Sequence, residues 1–231
     1  MHVWAAAGNC PERAAARNRH SLRRQTKPIV MKYLMFALAL ACGIMTSCTG
    51  AQNESAMEKN ETLEILKTRR SIRAYEDRMP PKDLIEKVLE AGTYAPTGKG
   101  SQSPVIVAVT DKATRDKLSR MNAAVMGMDS DPFYGAPVVV VVLADRKFPT
   151  YLYDGSLVMG NLLNAAHAAG LGSCWIHRAK EVFDSDEGKA LLKEWGIEGD
   201  YEGIGNCILG YPAQEAPAPK PRKADYIRFI E

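Results

Sequence analysis

Thr68–Tyr75 reads Thr-Arg-Arg-Ser-Ile-Arg-Ala-Tyr. It follows an amphipathic run containing Leu63, Ile65 and Leu66. Arg69, Ser71 and Arg73 alternate, and an extended segment puts alternate side chains on one face. Two guanidinium forks and a hydroxyl converging in this way suit a phosphate. Read alone, the octet is equally a solvated basic turn after a helix, because charge runs usually lie at the surface.

Outward from the octet, Glu61–Arg70 is predicted helical, with Thr62 as its cap. Pro80-Pro81 breaks the chain. Lys82–Ala91 then carries Leu84, Ile85, Val88 and Leu89 on one face of a second helix, ended by Gly92. Ala95–Pro104 holds two prolines, two glycines and no apolar run, so it reads as a loop. Val105–Val109 is a short buried strand, and Asp111–Met126 a helix or helical pair. Val138–Leu143 is five valines and a leucine, a run suited to a strand buried on both faces. Gly127–Gly135, rich in Asp, Gly and aromatics, reads as a loop at a substrate opening or a plain surface loop.

Tyr151–Ala169 is the longest helix. Gly155, Ser156, Gly160, Asn161, Ala165 and Ala166 recur on it, and small side chains let helices approach closely. Gly170 suits a left-handed cap. His167, near that end, reads as a packing or dipole-facing histidine. Ser173–Ile176 and Ile204–Leu209 are predicted strands, with a helix over Ser185–Trp195 between them. Pro212–Lys223 is an extended tail, and Asp225–Glu231 an added edge strand. The interleaving is too irregular for a doubly wound sheet, so an α+β three-layer fold is expected.

The composition is that of a globular protein, 46% hydrophobic and 25% charged. The formal charge of +3 is lopsided. Met1–Cys48 carries seven basic residues and one acidic, which leaves the remainder mildly acidic and without a nucleic-acid-binding signature. Met31–Cys48 has the layout of a signal peptide: Lys32, an apolar run over Leu34–Met45, then Thr46-Ser47-Cys48. The small-residue ending resembles a bacterial lipobox, with Cys48 the lipidated first mature residue. The expected organisation is a leader or over-extended reading at 1–30, signal peptide 31–47, linker 48–60 and one domain 61–231. Arg23-Arg24 faintly resembles a twin-arginine signal. The expected location is outside the cytoplasm, anchored to a bacterial membrane, or cytoplasmic if the signal is unused. Cys174 and Cys207 remain in the body, each in apolar surroundings that suit a small buried residue. Gly-x-Ser-x-Gly, His-Glu-x-x-His and the dinucleotide fingerprint are absent, and no Cys/His spacing suggests zinc. Binding residues without a side-chain nucleophile are what a cofactor enzyme leaves in its sequence.

Four stretches stand in order: Thr68–Tyr75; Ala95–Pro104; Gly170–Ile176 (Gly-Leu-Gly-Ser-Cys-Trp-Ile); and Leu209-Gly210-Tyr211-Pro212 followed by Lys220-Pro221-Arg222. From about Glu61 to the C-terminus the set resembles the nitroreductase family of flavin mononucleotide (FMN) enzymes. The resemblance implies a three-layer fold with a central, mostly antiparallel sheet flanked by helices, working as a homodimer. It implies that Arg69, Arg70, Ser71 and Arg73 hold the FMN phosphate and ribityl chain, with Lys220 and Arg222 closing on the same phosphate. Pro96, Thr97, Gly98, Ser101 and Gln102 match the loop that reaches the flavin of the partner subunit. Cys174, Trp175 and Ile176 match the strand along the isoalloxazine ring. The implied reaction is ping-pong: hydride from NAD(P)H reaches flavin N5, and a nitroaromatic, quinone or other small-molecule electron acceptor then takes it. No catalytic side chain and no metal are implied.

The chain departs from the family pattern in three places. Gly100 stands where an asparagine often precedes Ser101. Gln102-Ser103-Pro104 replaces Gln-Pro-Trp, and His177 takes the place of a small or acidic residue. Two rivals follow: a family branch with other redox chemistry (dehalogenation, enone reduction, flavin fragmentation), and a non-catalytic lipid-anchored protein that binds an anion through Arg69–Arg73.

Overall fold

The computed structural model describes residues 60–231. The leader, signal and Cys48 readings lie outside the described residues. The elements are α1 (Glu61–Thr68), α2 (Lys82–Thr93), β1 (Pro104–Val109), α3 (Lys112–Val125), β2 (Val138–Asp145), α4 (Tyr151–Ala168), β3 (Gly172–Ile176), α5 (Ala179–Asp184), α6 (Asp186–Glu194) and β4 (Tyr201–Gly210).

The four strands form one sheet in the order β1-β2-β4-β3, every pair antiparallel. β2 sits at the centre, and Val138 through Leu143 are all fully buried. Alternation divides this run between two cores. Val138, Val140 and Val142 face Val88 of α2 and Met159 and Leu162 of α4. Val139, Val141 and Leu143 face Leu118 of α3, Phe183 of α5 and Leu191 of α6. The result is the expected α/β/α layering, with both faces of an antiparallel sheet covered. Cys174 and Cys207 are buried and free. They belong to opposite faces of the sheet, so no bridge joins them. Burial pushes the Cys207 thiol well above its ordinary range.

Close approaches fix the strands against their neighbours. A Cβ at Gly205 would come within 2.5 Å of Trp175 Nε1, so only glycine lets the indole lie across β4. A Cβ at Gly172 would meet Ile72 at 3.0 Å, where the octet crosses β3.

Several local expectations need correction. Asn60, not Thr62, caps α1, its side chain accepting from the Leu63 amide at 3.1 Å. Gly92 lies inside α2, pressed on Leu162 and Ile106, and does not end it. Asp111–Met126 is one helix with Asp111 as its cap. α5 was not foreseen. Six residues are too few to show a helical period, and the turn opens at Arg178 with φ 73. Asp225–Glu231 forms no strand, and its Tyr226, Ile227, Phe229 and Ile230 are exposed. Gly170 does take the left-handed conformation, φ 73. Among the described residues no helix is long and apolar enough to cross a membrane.

Candidate active site

The octet leaves α1 as extended chain and lies against the outer edge of β3. Ser71 pairs in parallel with Ser173, and the Ile72 amide donates to the Ser173 carbonyl at 3.0 Å. Ile72 is the inward residue, 5% exposed. Its neighbours Ser71 and Arg73 therefore face away from the core, as the alternation required. The Tyr75 hydroxyl donates to the Ile72 carbonyl at 2.8 Å and closes the segment.

The three arginines differ in what they do. Arg69 Nη1 is buried and has no hydrogen-bond partner. Arg70 turns back and donates through Nη1 to the carbonyls of Lys67 and Arg69, at 2.8 and 2.7 Å, leaving its buried Nε unpartnered. Arg73 is exposed and lies 6.0 Å from the centre of the Tyr134 ring. His167 stands beside Arg69 and Arg70, its Nε2 2.9 Å from the Thr68 hydroxyl. Burial, followed by the fields of Arg69 and Arg70, holds its pKa below the ordinary 6.5.

Beyond the octet a cavity of about 470 Å³ opens against β3. Arg73, Trp175, Ile176, His177, Arg178 and Tyr134 line it. The Gly127–Gly135 loop supplies one wall through Met128, Ser130, Asp131, Pro132 and Tyr134. Asp131 shapes that loop. Its carboxylate accepts from Arg115 Nη2 and Ser119 Oγ, both at 2.5 Å, and from the amides of Phe133 and Gly135. Burial opposes its charge, but these four donors outweigh burial and hold its pKa below the ordinary value. Opposite, buried Asn122 donates to the His177 carbonyl at 2.8 Å and accepts from Arg178 Nε at 3.2 Å.

The Ala95–Pro104 loop is placed elsewhere, at the start of α4. Buried Asp154 accepts from the Gly98 amide at 2.9 Å, from Thr150 Oγ1 at 2.9 Å and from Ser103 Oγ at 3.3 Å. Thr97 Oγ1 accepts from the Gln102 amide at 3.0 Å. Pro96 and Gln102 are exposed. Lys99 and Gln102 hold left-handed backbone, φ 55 and 50, a costly conformation for side-chain-bearing residues. Ser101 Oγ is buried without a partner. No hydrogen bond joins this loop to the octet or to β3 among the described residues. Lys220 and Arg222 are exposed in the tail and make no hydrogen bond or ion pair among the described residues. The chain thus brings the octet, Cys174, Trp175 and Ile176 together, and leaves the loop and tail apart from them.

The sequence reading missed Asp154, Asn122 and Arg178. An acid in the first turn of an otherwise apolar helix was the available signal for Asp154. For the other two none existed, since both depend on chain reversals far apart in sequence.

The nitroreductase family model matches residues 66–130 and 124–211. The chain belongs to the nitroreductase family. Among nitroreductase relatives, a Methanothermobacter thermautotrophicus protein named for NADH dehydrogenase or NAD(P)H nitroreductase activity is 33% identical over 166 residues, covering 70% of this chain and 82% of the relative. A protein of the same name from Archaeoglobus fulgidus is 35% identical over 161 residues, covering 67% and 87%. A nitroreductase from Bacteroides fragilis, solved with bound FMN, superimposes with a TM-score of 0.69 at 30% identity, covering 75% of this chain and all of that one. The nitroreductase fold read from the four stretches is therefore the fold observed. Arg69 fits the phosphate of a nitroreductase flavin on its own geometry: a buried guanidinium nitrogen without an acceptor is a donor awaiting an anion.

Proposed function

We propose that this chain is an FMN-dependent NAD(P)H oxidoreductase that reduces a nitroaromatic, quinone or other small electron acceptor. The observation that carries the reading is Arg69 Nη1, buried and unpartnered, on the segment that Ser71 pairs to β3. The Bacteroides fragilis relative with its bound FMN supports it. FMN, when bound, supplies the hydride-accepting centre at which donor and acceptor react in turn. Arg69 and Ser71 hold the phosphate. Arg73 adds a positive charge beside the cavity, favouring negative charge that develops there during reduction. Trp175 and Ile176 give an apolar wall that excludes water.

The reading extends to a homodimer. Asp154, which holds Gly98, and His167, which meets Thr68, stand thirteen residues apart on α4. That is about 20 Å along the axis. Loop and octet therefore sit at opposite ends of one helix, and a two-fold partner brings a second loop to each octet. Tyr153, Leu157 and Gly160 lie at i, i+4 and i+7 on α4; the first two are exposed, and a Cβ at Gly160 meets nothing within 4 Å. An isologous contact along this stripe supports the arrangement. Lys220 and Arg222 complete the phosphate site, Arg70 buttresses it through the carbonyls of Lys67 and Arg69, and Cys48 anchors the protein to a membrane.

The test is release of the cofactor. Denaturing the purified protein should free FMN, near one per subunit, and NAD(P)H should bleach the bound flavin anaerobically. Release of FAD, or no uptake of FMN on reconstitution, would count against the reading.

A further inference from the structure

The flavin contacts assigned above account for Arg73, Trp175 and Ile176. They leave part of the cavity lining for the second reactant: Met126, Met128, Tyr134, His177 and Arg178. This remaining lining joins apolar side chains to the His177 imidazole, the Ser130 hydroxyl and two opposite charges, Arg178 and Asp131. The nearby carboxylate, Asp131, has its oxygens occupied by Arg115, Ser119 and two backbone amides. Arg178 has no such counterweight. It makes no ion pair, and among the described residues only its Nε is hydrogen-bonded.

Its position is also fixed. Arg178 holds left-handed backbone, φ 73, an unfavourable conformation for a residue with a Cβ. Buried Asn122 clamps both sides of the turn, its Nδ2 donating to the His177 carbonyl and its Oδ1 accepting from Arg178 Nε. The clamp fixes the stem of the guanidinium, and Arg178 lines the cavity with its two terminal nitrogens unpartnered among the described residues. A planar fork with both terminal nitrogens free, in a cavity that also carries thioether and aromatic side chains, is a receptor for a carboxylate on an aromatic ring.

We propose that Arg178, held by Asn122, makes this cavity selective for aromatic electron acceptors that carry a carboxylate or sulfonate. The inference rests on the oxidoreductase reading above. 4-Nitrobenzoate is a suitable probe. Its two-electron reduction consumes one NAD(P)H and one proton, and gives the nitroso compound, NAD(P)⁺ and water.

With FMN-loaded protein, kcat/KM for 4-nitrobenzoate relative to neutral nitrobenzene should fall about tenfold in Arg178→Gln, mainly through KM. Arg178→Gly should show the same fall, and it relieves the left-handed backbone, so it remains folded. Added salt should narrow the preference of the parent protein. An unchanged ratio in both variants overturns the proposal. So does a loss confined to NADPH against NADH, which would assign the charge to the donor's phosphate. Calorimetry with benzoate separates this inference from the functional reading. Absence of FMN and of NAD(P)H turnover sinks the oxidoreductase reading, whereas benzoate affinity equal in parent and Arg178→Gly sinks the anion site.

Discussion

The Thr68 hydroxyl lies 2.9 Å from Nε2 of His167 and 2.6 Å from the Glu64 carbonyl. A hydroxyl has one proton, and the carbonyl can only accept it. His167 therefore donates through Nε2, which assigns the tautomer. The imidazole locks the C-terminal end of α4 to the last turn of α1, where the octet begins.

The pH response follows from this lock. Burial, then Arg69 and Arg70, lower the His167 pKa in the folded state. Between that lowered value and 6.5 the unfolded chain binds more protons, so stability rises with pH across the window. The contribution is fully present above 6.5 and is lost as pH falls through the folded pKa. Chemical denaturation at several pH values should show this slope in the parent and a flatter one in His167→Gln. An NMR titration with the imidazole at or above 6.5 would remove its basis.

Asp154 organises the Thr97–Ser103 loop from inside the protein. Asp154→Ala removes the acceptor of three donors, one of them the Gly98 amide. Hydrogen bonds to a charged group contribute about 1.5–3 kcal/mol each, so stability should fall by at least that amount. FMN retention should fall with it, because the released loop is the segment assigned to the partner's flavin. Limited proteolysis within 97–103, faster in the variant, is the direct measurement.

Arg69→Ala and Arg222→Ala test the phosphate site from its two sides. On the proposed reading each removes a charge-assisted bond of roughly 1.5–3 kcal/mol, so FMN affinity should drop about tenfold or more with the fold retained. Equilibrium dialysis against FMN reads this. Equal affinity in both variants would move the phosphate elsewhere.

Gly160→Leu addresses the dimer. A Cβ added at Gly160 meets no described atom within 4 Å, so the isolated subunit should accept a side chain there. Light scattering should show a loss of dimer, and absorbance a parallel loss of flavin. A variant that is still a dimer with full flavin would argue against the α4 stripe as the seam.

Cys48→Ala concerns the N-terminal segment. If Cys48 carries the lipid, the substitution should move the protein from the membrane fraction to the soluble one. Equal membrane association of parent and variant would exclude lipidation at this position.

Much of the fold was legible because its elements carry strong local patterns. The valine run of β2 suited a strand buried on both faces and is one, whereas the alternation of Arg69, Ser71 and Arg73 left the octet open between an extended segment and a basic turn, and its pairing to β3 decides for the first. The failures were non-local. Gly92 looked like a stop signal, yet it is glycine because Leu162 of α4 needs the space. Asp225–Glu231 suited an added edge strand, but it forms none. In the site, residue types announced the octet and β3. The Asn122 clamp depends on α3 meeting the turn after β3, which no stretch of sequence displays.

α4 holds the Gly98 loop at one end and the octet at the other, and its length is accordingly a quantity under constraint. One residue inserted between Gly155 and Ala166 would turn the Asp154 end by about 100° and shift it about 1.5 Å relative to the His167 end. The Gly98 anchor and the Thr68 lock would then lose alignment together, although neither had been altered. Substitutions that leave the length of the helix unchanged preserve this alignment, whereas insertions and deletions do not. The spacing between its two ends should therefore drift far less than the residues that fill it.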